Sequence, residues 1–273
     1  MNFIRSYRRT ATLLLVYLLA FVSSENNDLH VRKQSETKHH RALLSCAKPC
    51  YEFDDNGSLQ DAVWTWFHDR KIAEKLFGHI SCWGVSKVTS MSELFSFKMN
   101  DAAVSFNEEI SCWDVSRVTD MSQMFRGAKK FNSDISYWEV DKVKNMDYVF
   151  WDAASFNAKI QHWDTSGVTS MKGKNDINVY HRPTLKCLFW RLGMFEKAKS
   201  FNRCVAERNV FCESNWDVSR VKDLRWIFSG ATSFKQSLCW DLDGKKTDNM
   251  FRDSQGCIKA DCCKSCDKTL LCK

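Results

Sequence analysis

The chain repeats itself every 25 residues over much of its length. Three columns of residues keep this step, namely Trp113, Trp138 and Trp163; Met121, Met146 and Met171; and Phe131 and Phe156. A fixed period of this length is typical of solenoid proteins, in which each unit buries its apolar face only by stacking on its neighbours. We therefore expect an α/β solenoid of the leucine-rich-repeat type, with a short strand and a short helix in each coil.

The spacing within a unit predicts where that helix lies. Val118, Met121, Phe125 and Ala128 fall on one face at helical spacing. The residue before the first apolar position of each helix is of a type that favours helix N-caps, namely Ser90, Asp120, Asn145, Ser170 and Asp223. A helix of about two turns is expected there. A short strand is predicted near 135–140, and stacked strands would form a parallel sheet.

The period is interrupted at three places. Five extra residues lie between Phe95 and Phe106, about 20 lie at 173–192, and eight lie between Asn202 and Trp216. The insert at 173–192 carries no repeat signal. It is either a loop that leaves one coil or a retained intron in the gene. Insertions in repeat proteins usually map to loops on one face, and such loops often carry function.

The ends of the chain define the remaining segments. Three arginines precede an apolar run over 11–22, and small residues follow it, which predicts a signal peptide over 1–24; a signal anchor is the alternative. A polar, flexible linker is predicted over 25–45, an N-terminal cap with a helix over 46–79, the repeats over 80–251 and a Cys-rich cap over 252–273. Removing the signal lowers the net charge from +7 to +4, which does not favour nucleic-acid binding. No later stretch is long and apolar enough to predict a membrane span.

Thirteen cysteines fit an oxidising compartment, and the odd number leaves one thiol unpaired or bonded to another molecule. The disulfide candidates are Cys46, Cys50, Cys82, Cys112, Cys257, Cys262, Cys263, Cys266 and Cys272. Cys82 and Cys112 share a column in adjacent units, at a distance that a disulfide can span, although two independent packed cysteines are equally compatible with the pattern. In the tail, Cys263 and Cys266 have the spacing of a zinc site, but secretion favours disulfides.

Two polar columns have structural explanations. Asn107, Asn132, Asn157 and Asn202 should form a ladder that bonds to the backbone at a turn. A column of acids follows the tryptophans, namely Asp114, Glu139, Asp164, Asp217 and Asp241. The alternative to a structural role is that these acids bind calcium. Each coil supplies only one carboxylate, however, and calcium requires six or more oxygens. No metal site and no cofactor are therefore predicted.

The sequence carries one modification signal and no catalytic one. Asn56-Gly57-Ser58 is an N-glycosylation sequon, so Asn56 is a candidate glycosylation site. We find no Ser–His–acid grouping, no Gly-rich phosphate loop and no zinc-protease helix motif. The seven histidines are scattered along the chain. An enzyme is therefore not expected.

The repeat resembles the 25-residue unit of the BspA-like surface proteins, a domain of unknown function first noted in mycoplasma lipoproteins and frequent in marine protists. Residues 131–156 carry its Phe-Asn, Ile, Trp and Met columns almost residue for residue, and the resemblance extends over roughly 58–251. It implies a secreted or surface-attached solenoid of the leucine-rich-repeat kind, with adhesion or ligand binding suspected. Gly84 and Lys235 depart from the pattern. The family has no agreed binding residues, so none is transferred.

Two functions remain open from the sequence. The first is a secreted or cell-surface module that binds a protein or a glycan, because solenoids offer long repeated surfaces. The alternative is a structural component of an extracellular coat or wall, linked into multimers through the odd cysteine. No nucleic-acid partner is expected in either case.

Overall fold

A computed structural model describes residues 48–171, 193–203, 205, 216–238 and 240–258. Every described residue belongs to one compact unit, Lys48–Lys273. The predicted signal peptide, the predicted linker up to residue 45 and the insert at 173–192 lie outside the described residues. So does the part of the Cys-rich tail that follows residue 258.

The N-terminal part contains one short strand and two helices. Strand β1 spans Tyr51–Glu52, helix α1 spans Asn56–His68 and helix α2 spans Arg70–Phe77. The predicted helix is divided because Asp69 ends α1 and caps α2, where its side chain accepts the Ile72 amide. Neither α1 nor α2, nor any other helix of the described residues, is long and apolar enough to cross a membrane.

Regular structure is sparse in the described repeats. Single-turn 3₁₀ helices span Ile80–Cys82 and Asp101–Ser105, and the strands are β2 (Trp83–Gly84), β3 (Ser237–Leu238) and β4 (Cys257–Ile258). Strand β1 pairs with β2, and β3 pairs with β4, both in parallel. Isolated parallel bridges join successive units at Ser90↔Asp120, Asp120↔Asn145, Asn145↔Ser170 and Asp223↔Lys246.

Six turn segments, called rungs here, lie at equivalent places in successive units. They are 91–97, 121–127, 146–152, 193–197, 224–230 and 247–253. Alternate amides of the first five rungs donate to the next rung, as the Gln123 amide does to the Asp147 carbonyl at 2.7 Å and the Phe125 amide to the Val149 carbonyl at 2.9 Å. Successive rungs are thus joined by a parallel ladder of backbone hydrogen bonds.

The predicted two-turn helix does not form in the described units, because the ladder takes the amides that a helix would use. Residues between the ladder positions close tight turns instead, as the Met124 amide does on the Met121 carbonyl at 3.1 Å. Gln123 has a φ of 59° and Gly127 one of 71°, which no α-helix accommodates. Asp120, which was expected to cap a helix, accepts the Ser122 amide at 2.8 Å. The segment that it caps is a turn and not a helix. The expected strand at 135–140 is likewise formed of turns and irregular chain.

The core consists of stacked aromatic columns. One column is Phe95, Phe125, Phe150, Phe195, Phe228 and Phe251, whose neighbouring rings lie 5.5–5.7 Å apart. A second column, with steps of 5.8–6.1 Å, is Phe106, Phe131, Phe156, Phe201 and Phe234. Phenylalanines of the two columns face each other within each unit, as Phe150 and Phe156 do at 3.7 Å. These rings bury the apolar face that a single unit exposes.

Polar groups also connect the units. The Trp163 indole donates to the Ile135 carbonyl at 3.0 Å, and the equivalent tryptophans of other units do the same. The predicted asparagine ladder is confirmed: the Oδ1 atom of Asn132 accepts the Asn157 amide at 2.7 Å, and that of Asn157 accepts the Asn202 amide at 3.1 Å. Each bond satisfies a turn amide that would otherwise lack an internal partner.

Candidate binding surface on the rungs

Three positions of each rung do not repeat. They lie two residues before the core phenylalanine, and one and two residues after it; together we call their side chains the turn face. The residues are Glu93, Ser96 and Phe97; Gln123, Arg126 and Gly127; Tyr148, Trp151 and Asp152; Gly193, Glu196 and Lys197; Trp226, Ser229 and Gly230; and Asn249, Arg252 and Asp253. A column that only stacks units should keep its chemical character, as the buried phenylalanine, tryptophan and aliphatic columns do. The turn face does not, so stacking alone does not account for it.

The backbone places these side chains in an uncommon conformation. Glu93, Tyr148, Lys197 and Trp226 all have φ between 59° and 64°, a region that non-glycine residues rarely occupy. Such a residue costs of the order of 1–3 kcal/mol unless the surrounding structure holds it. The ladder supplies that support, since the amide of Lys197 donates to the Ser229 carbonyl at 2.8 Å.

The N-terminal half of the turn face is organised around Arg126. Its guanidinium lies over the rings of Phe97, Tyr148 and Trp151, at 5.7, 5.3 and 4.9 Å from their centroids. Cation–π contacts of this kind are stabilising, more so where water is excluded, and Arg126 is buried. The Phe97 ring also fills the space above Gly127, where an added Cβ would lie 2.3 Å from it. This half is therefore closed and well packed.

The C-terminal half is more open and more charged. Lys197 places its Nζ 5.1 Å from the centroid of the Trp151 ring, and Arg252 lies 5.5 Å from that of Trp226. Glu196 is 5% exposed and accepts the Gly193 amide at 3.1 Å. Burial raises the pKa of Glu196 to about 7, despite the opposing effects of that hydrogen bond and of the two cations.

Two indole nitrogens on the turn face are buried and lack a hydrogen-bond partner among the described residues. They are the Nε1 atoms of Trp151 and Trp226. The core tryptophans differ, because their indoles donate to carbonyls of the preceding unit. Buried polar atoms without partners are rare in folded proteins and call for an explanation.

A second surface lies at the N-terminal cap. The five-residue insert places Met99 and Asn100 beside helix α1, where Asn100 bonds to the Nδ1 of His68 at 3.3 Å. The His68 ring stacks on Trp64 at 3.7 Å, and Trp64 remains 54% exposed. The insert thus anchors α1 and leaves a shallow apolar groove between the two.

A Cys82–Cys112 disulfide, one of the two alternatives that the sequence left open, does not form. Cys82 is bonded to Cys50, with their Cα atoms 5.5 Å apart. The reason is the pairing of β1 with β2, which places Cys50 beside Cys82 and lets its amide donate to the Cys82 carbonyl at 2.9 Å. Cys112 and Cys257 are also disulfide-bonded. The remaining candidates, Cys46, Cys262, Cys263, Cys266 and Cys272, lie outside the described residues, and so does the zinc alternative for the tail.

Asn56, the candidate glycosylation site, has a structural role. It begins helix α1, and its Oδ1 accepts the amides of Thr89 and Ser90 at 2.9 and 3.1 Å. These amides belong to the first unit, and Asn56 thus bonds the cap to the repeats. Whether its nitrogen also carries a glycan stays a prediction.

The acid column also acts locally. Asp114, Asp164 and Asp217 each accept the amide two residues ahead, at 2.7–3.0 Å, which stabilises the turn that follows each tryptophan. Among the residues that the structure describes, no group of three or more His, Cys, Asp or Glu side chains is placed to hold a metal ion.

Comparison with known proteins gives one family. The sequence model described as Mycoplasma protein of unknown function, DUF285, matches residues 64–178 and 191–260. The match spans the repeats and breaks at the long insert. The comparisons with curated proteins and with solved structures return no match.

Proposed function

Since the chain belongs to the DUF285 family of mycoplasma proteins of unknown function, we propose that it is a secreted or cell-surface repeat protein that binds a protein or glycan ligand through its turn face. Its repeat pattern supports a finer placement among BspA-like surface proteins. The apolar run behind three arginines at the N-terminus supports export. The cysteine content supports an oxidising destination.

The scaffold of this module is a solenoid in our proposal. The ladder between rungs, the phenylalanine columns and the asparagine ladder each link a unit to its neighbours at the repeat step. A stack of this kind presents equivalent positions of successive units along one surface. Variation at those positions then changes what the surface binds without changing the fold.

One observation carries the proposal: residue types change from rung to rung on the turn face, in size and in charge, while the buried phenylalanine and tryptophan columns keep theirs. The turn face also carries Trp151, Trp226 and Arg252, which are not buried and are of the types that most often dominate binding energy at interfaces. Two of its indoles hold donors that the described residues do not satisfy.

The test compares two tryptophans of this chain. The purified protein, with its disulfides intact, is applied to a glycan array and to an array of extracellular proteins. Trp226→Ala removes a ring from the turn face, and Trp64→Ala is the matched control on helix α1. Binding that Trp226→Ala weakens and Trp64→Ala does not would support the proposal. Binding that Trp64→Ala alone abolishes, or no binding on either array, would contradict it.

A structural role in an extracellular coat is the second candidate, supported by the odd number of cysteines. It predicts disulfide-linked multimers of the natural protein on a non-reducing gel that become monomers on reduction. A monomer without reductant would exclude this role and would leave the binding proposal intact.

A further inference from the structure

One edge of the repeats carries a row of amide groups whose N–H donors are unused. The Oδ1 atoms of four asparagines accept the backbone amide at the equivalent place in the next unit, the last of them that of Lys235 at 2.9 Å. The four are Asn107, Asn132, Asn157 and Asn202. Their Nδ2 atoms have no hydrogen-bond partner among the described residues. Because a side-chain amide is planar, each bond that fixes an Oδ1 atom also fixes the neighbouring Nδ2 atom, so donors recur at the repeat step.

The C-terminal part of this edge is basic. Its described segments, 154–160, 199–203 and 232–238, contain no carboxylate and four cations, namely Lys159, Lys199, Arg203 and Lys235. The three lysines are exposed, and their ammonium groups have no ion-pair partner in the part of the chain that the structure describes. At the equivalent places of the two preceding units, 104–110 and 129–135, three acids offset two lysines. The positive charge is therefore confined to three successive units.

The guanidinium of Arg203 is held in place beside the asparagine row. Its Nε donates to the Asn157 carbonyl at 2.6 Å, and its Nη groups have no partner among the described residues. Lys159 follows two residues after Asn157 and is exposed between Ala158 and Ile160, which are buried. A guanidinium, an ammonium and an unused amide donor thus lie on one short segment of a single unit.

The spacing and the polarity of the edge restrict what it can bind. The phenylalanines that precede Asn157, Asn202 and Lys235 are 5.8 Å apart at each step, so a linear ligand with regularly spaced acceptors meets one unit after another. Protein interfaces depend on buried aromatic or apolar anchors, and proteins that bind single-stranded nucleic acid stack the bases on aromatic rings. Every large hydrophobic side chain that the described structure leaves exposed lies before residue 100, away from these units. The edge therefore suits a polymer rich in hydroxyl groups and acids.

We propose that this edge, called the asparagine edge, binds a linear acidic polysaccharide that runs along the stack. Lys159, Arg203 and Lys235 pair with its carboxylate or sulfate groups through charge-assisted hydrogen bonds. The Nδ2 groups of Asn157 and Asn202 donate to its hydroxyl or ring oxygens. Because the ladder already holds the asparagine side chains, little conformational freedom is lost on binding. The asparagine edge is separate from the turn face, and the inference goes beyond the proposed function.

Titration calorimetry on the full chain, with its disulfides intact, tests the proposal with four probes: hexagalacturonate, a sulfated dextran oligosaccharide, neutral maltohexaose and a thymidine hexanucleotide. We expect at least one acidic sugar to bind, and to bind more tightly than the neutral sugar and the nucleotide. Arg203→Gln and Lys235→Gln should each weaken this binding by about tenfold, as for the loss of one charge-assisted hydrogen bond. Asn157→Asp keeps the acceptor of the ladder and replaces the Nδ2 donor by a negative charge, so it should weaken binding further.

Lys222→Gln is the matched control, because Lys222 is an exposed lysine that precedes rung 224–230, whereas Lys235 follows it. Equal losses in Lys222→Gln and Lys235→Gln would show non-specific attraction and overturn the proposal. Equally tight binding of the hexanucleotide or of maltohexaose would do the same. So would undiminished binding in Asn157→Asp, when circular dichroism shows a native fold.

Trp226→Ala separates this proposal from that of the turn face. Binding of an acidic sugar that Lys235→Gln weakens and Trp226→Ala does not would support the asparagine edge. Binding that Trp226→Ala abolishes and Lys235→Gln leaves unchanged would overturn it and would favour the turn face. Failure of both acidic sugars, together with Trp226-dependent binding on the arrays, would likewise overturn the asparagine edge and retain the turn face as a binding surface.

Discussion

Removal of one ring from the middle of the phenylalanine column tests the stacking argument most directly. Phe150 is fully buried, and four rings surround it: Phe156 at 3.7 Å, Phe195 at 5.6 Å, Phe125 at 5.7 Å and Trp163 at 6.1 Å. Phe150→Ala leaves a cavity with units on both sides of it. We expect the free energy of unfolding to fall by about 4–5 kcal/mol, at the upper end for such substitutions.

The matched variant lies at the end of the described column. Phe251 is only partly buried and contacts rings on one side, Phe228 at 5.7 Å and Phe234 at 6.3 Å. Phe251→Ala should cost about 2 kcal/mol, because less apolar surface becomes exposed and no further unit lies beyond the ring in the part of the chain that the structure describes. Phe150→Leu, which keeps most of the volume, should cost about 1–1.5 kcal/mol.

Urea unfolding, followed by tryptophan fluorescence and by far-UV circular dichroism under oxidising conditions, measures the three variants. Coincident transitions by the two probes are required before free energies are compared. Equal losses in Phe150→Ala and Phe251→Ala, within the error of about 10–15% of such extrapolations, would refute the reasoning. The interior ring would then gain nothing from having neighbours on both sides.

Three further predictions concern polar and covalent links. Replacing Cys50 and Cys82 together by Ala removes the link between residues separated by 32 positions in the sequence and should lower the free energy of unfolding by about 3–4 kcal/mol. Thermal melts with and without reductant measure this loss. If reductant lowered the melting temperature of the double variant as much as that of the natural protein, the prediction would be contradicted. Asn157→Ala removes the acceptor of a turn amide and should cost about 1 kcal/mol in urea, whereas Asn157→Asp, which keeps an acceptor, should cost less; equal costs would oppose the ladder. Because the pKa of Glu196 rises from 4.5 to about 7 on folding, the folded state holds its proton more tightly, so the contribution of Glu196 to stability is complete below pH 4.5 and is lost, by up to about 3 kcal/mol, as pH rises from 4.5 to 7. Glu196→Gln should remove this slope and Glu139→Gln, at an exposed acid, should keep it; urea midpoints across that range decide between them.

The burial pattern could be predicted from the period alone. Trp138, Met146 and Phe150 recur at fixed places, and all are buried. The reason is that identical positions of stacked units share one environment, so a residue that is inside in one unit is inside in the next. The asparagine ladder follows from the same logic, because each Asn157-type amide meets the same neighbour in every unit.

The local conformation could not be predicted in this way. The apolar spacing of Val118, Met121 and Phe125 is equally compatible with a helix and with the observed turns, because both bury the same side chains. Only the neighbouring unit decides between them. Its carbonyls at 147 and 149 accept the amides of Gln123 and Phe125, and these amides are then unavailable to a helix. Tertiary hydrogen bonding here overrides local propensity.

The sequence by itself therefore determined the repeat, its buried columns and the places where the step is broken, since all three are properties of spacing. The tertiary structure decided the disulfide of Cys50, which depends on how β1 pairs with β2. It also decided the turn face. Arg126 and Trp151 are 25 residues apart in the chain, and only the stacking of rungs brings the guanidinium over the ring.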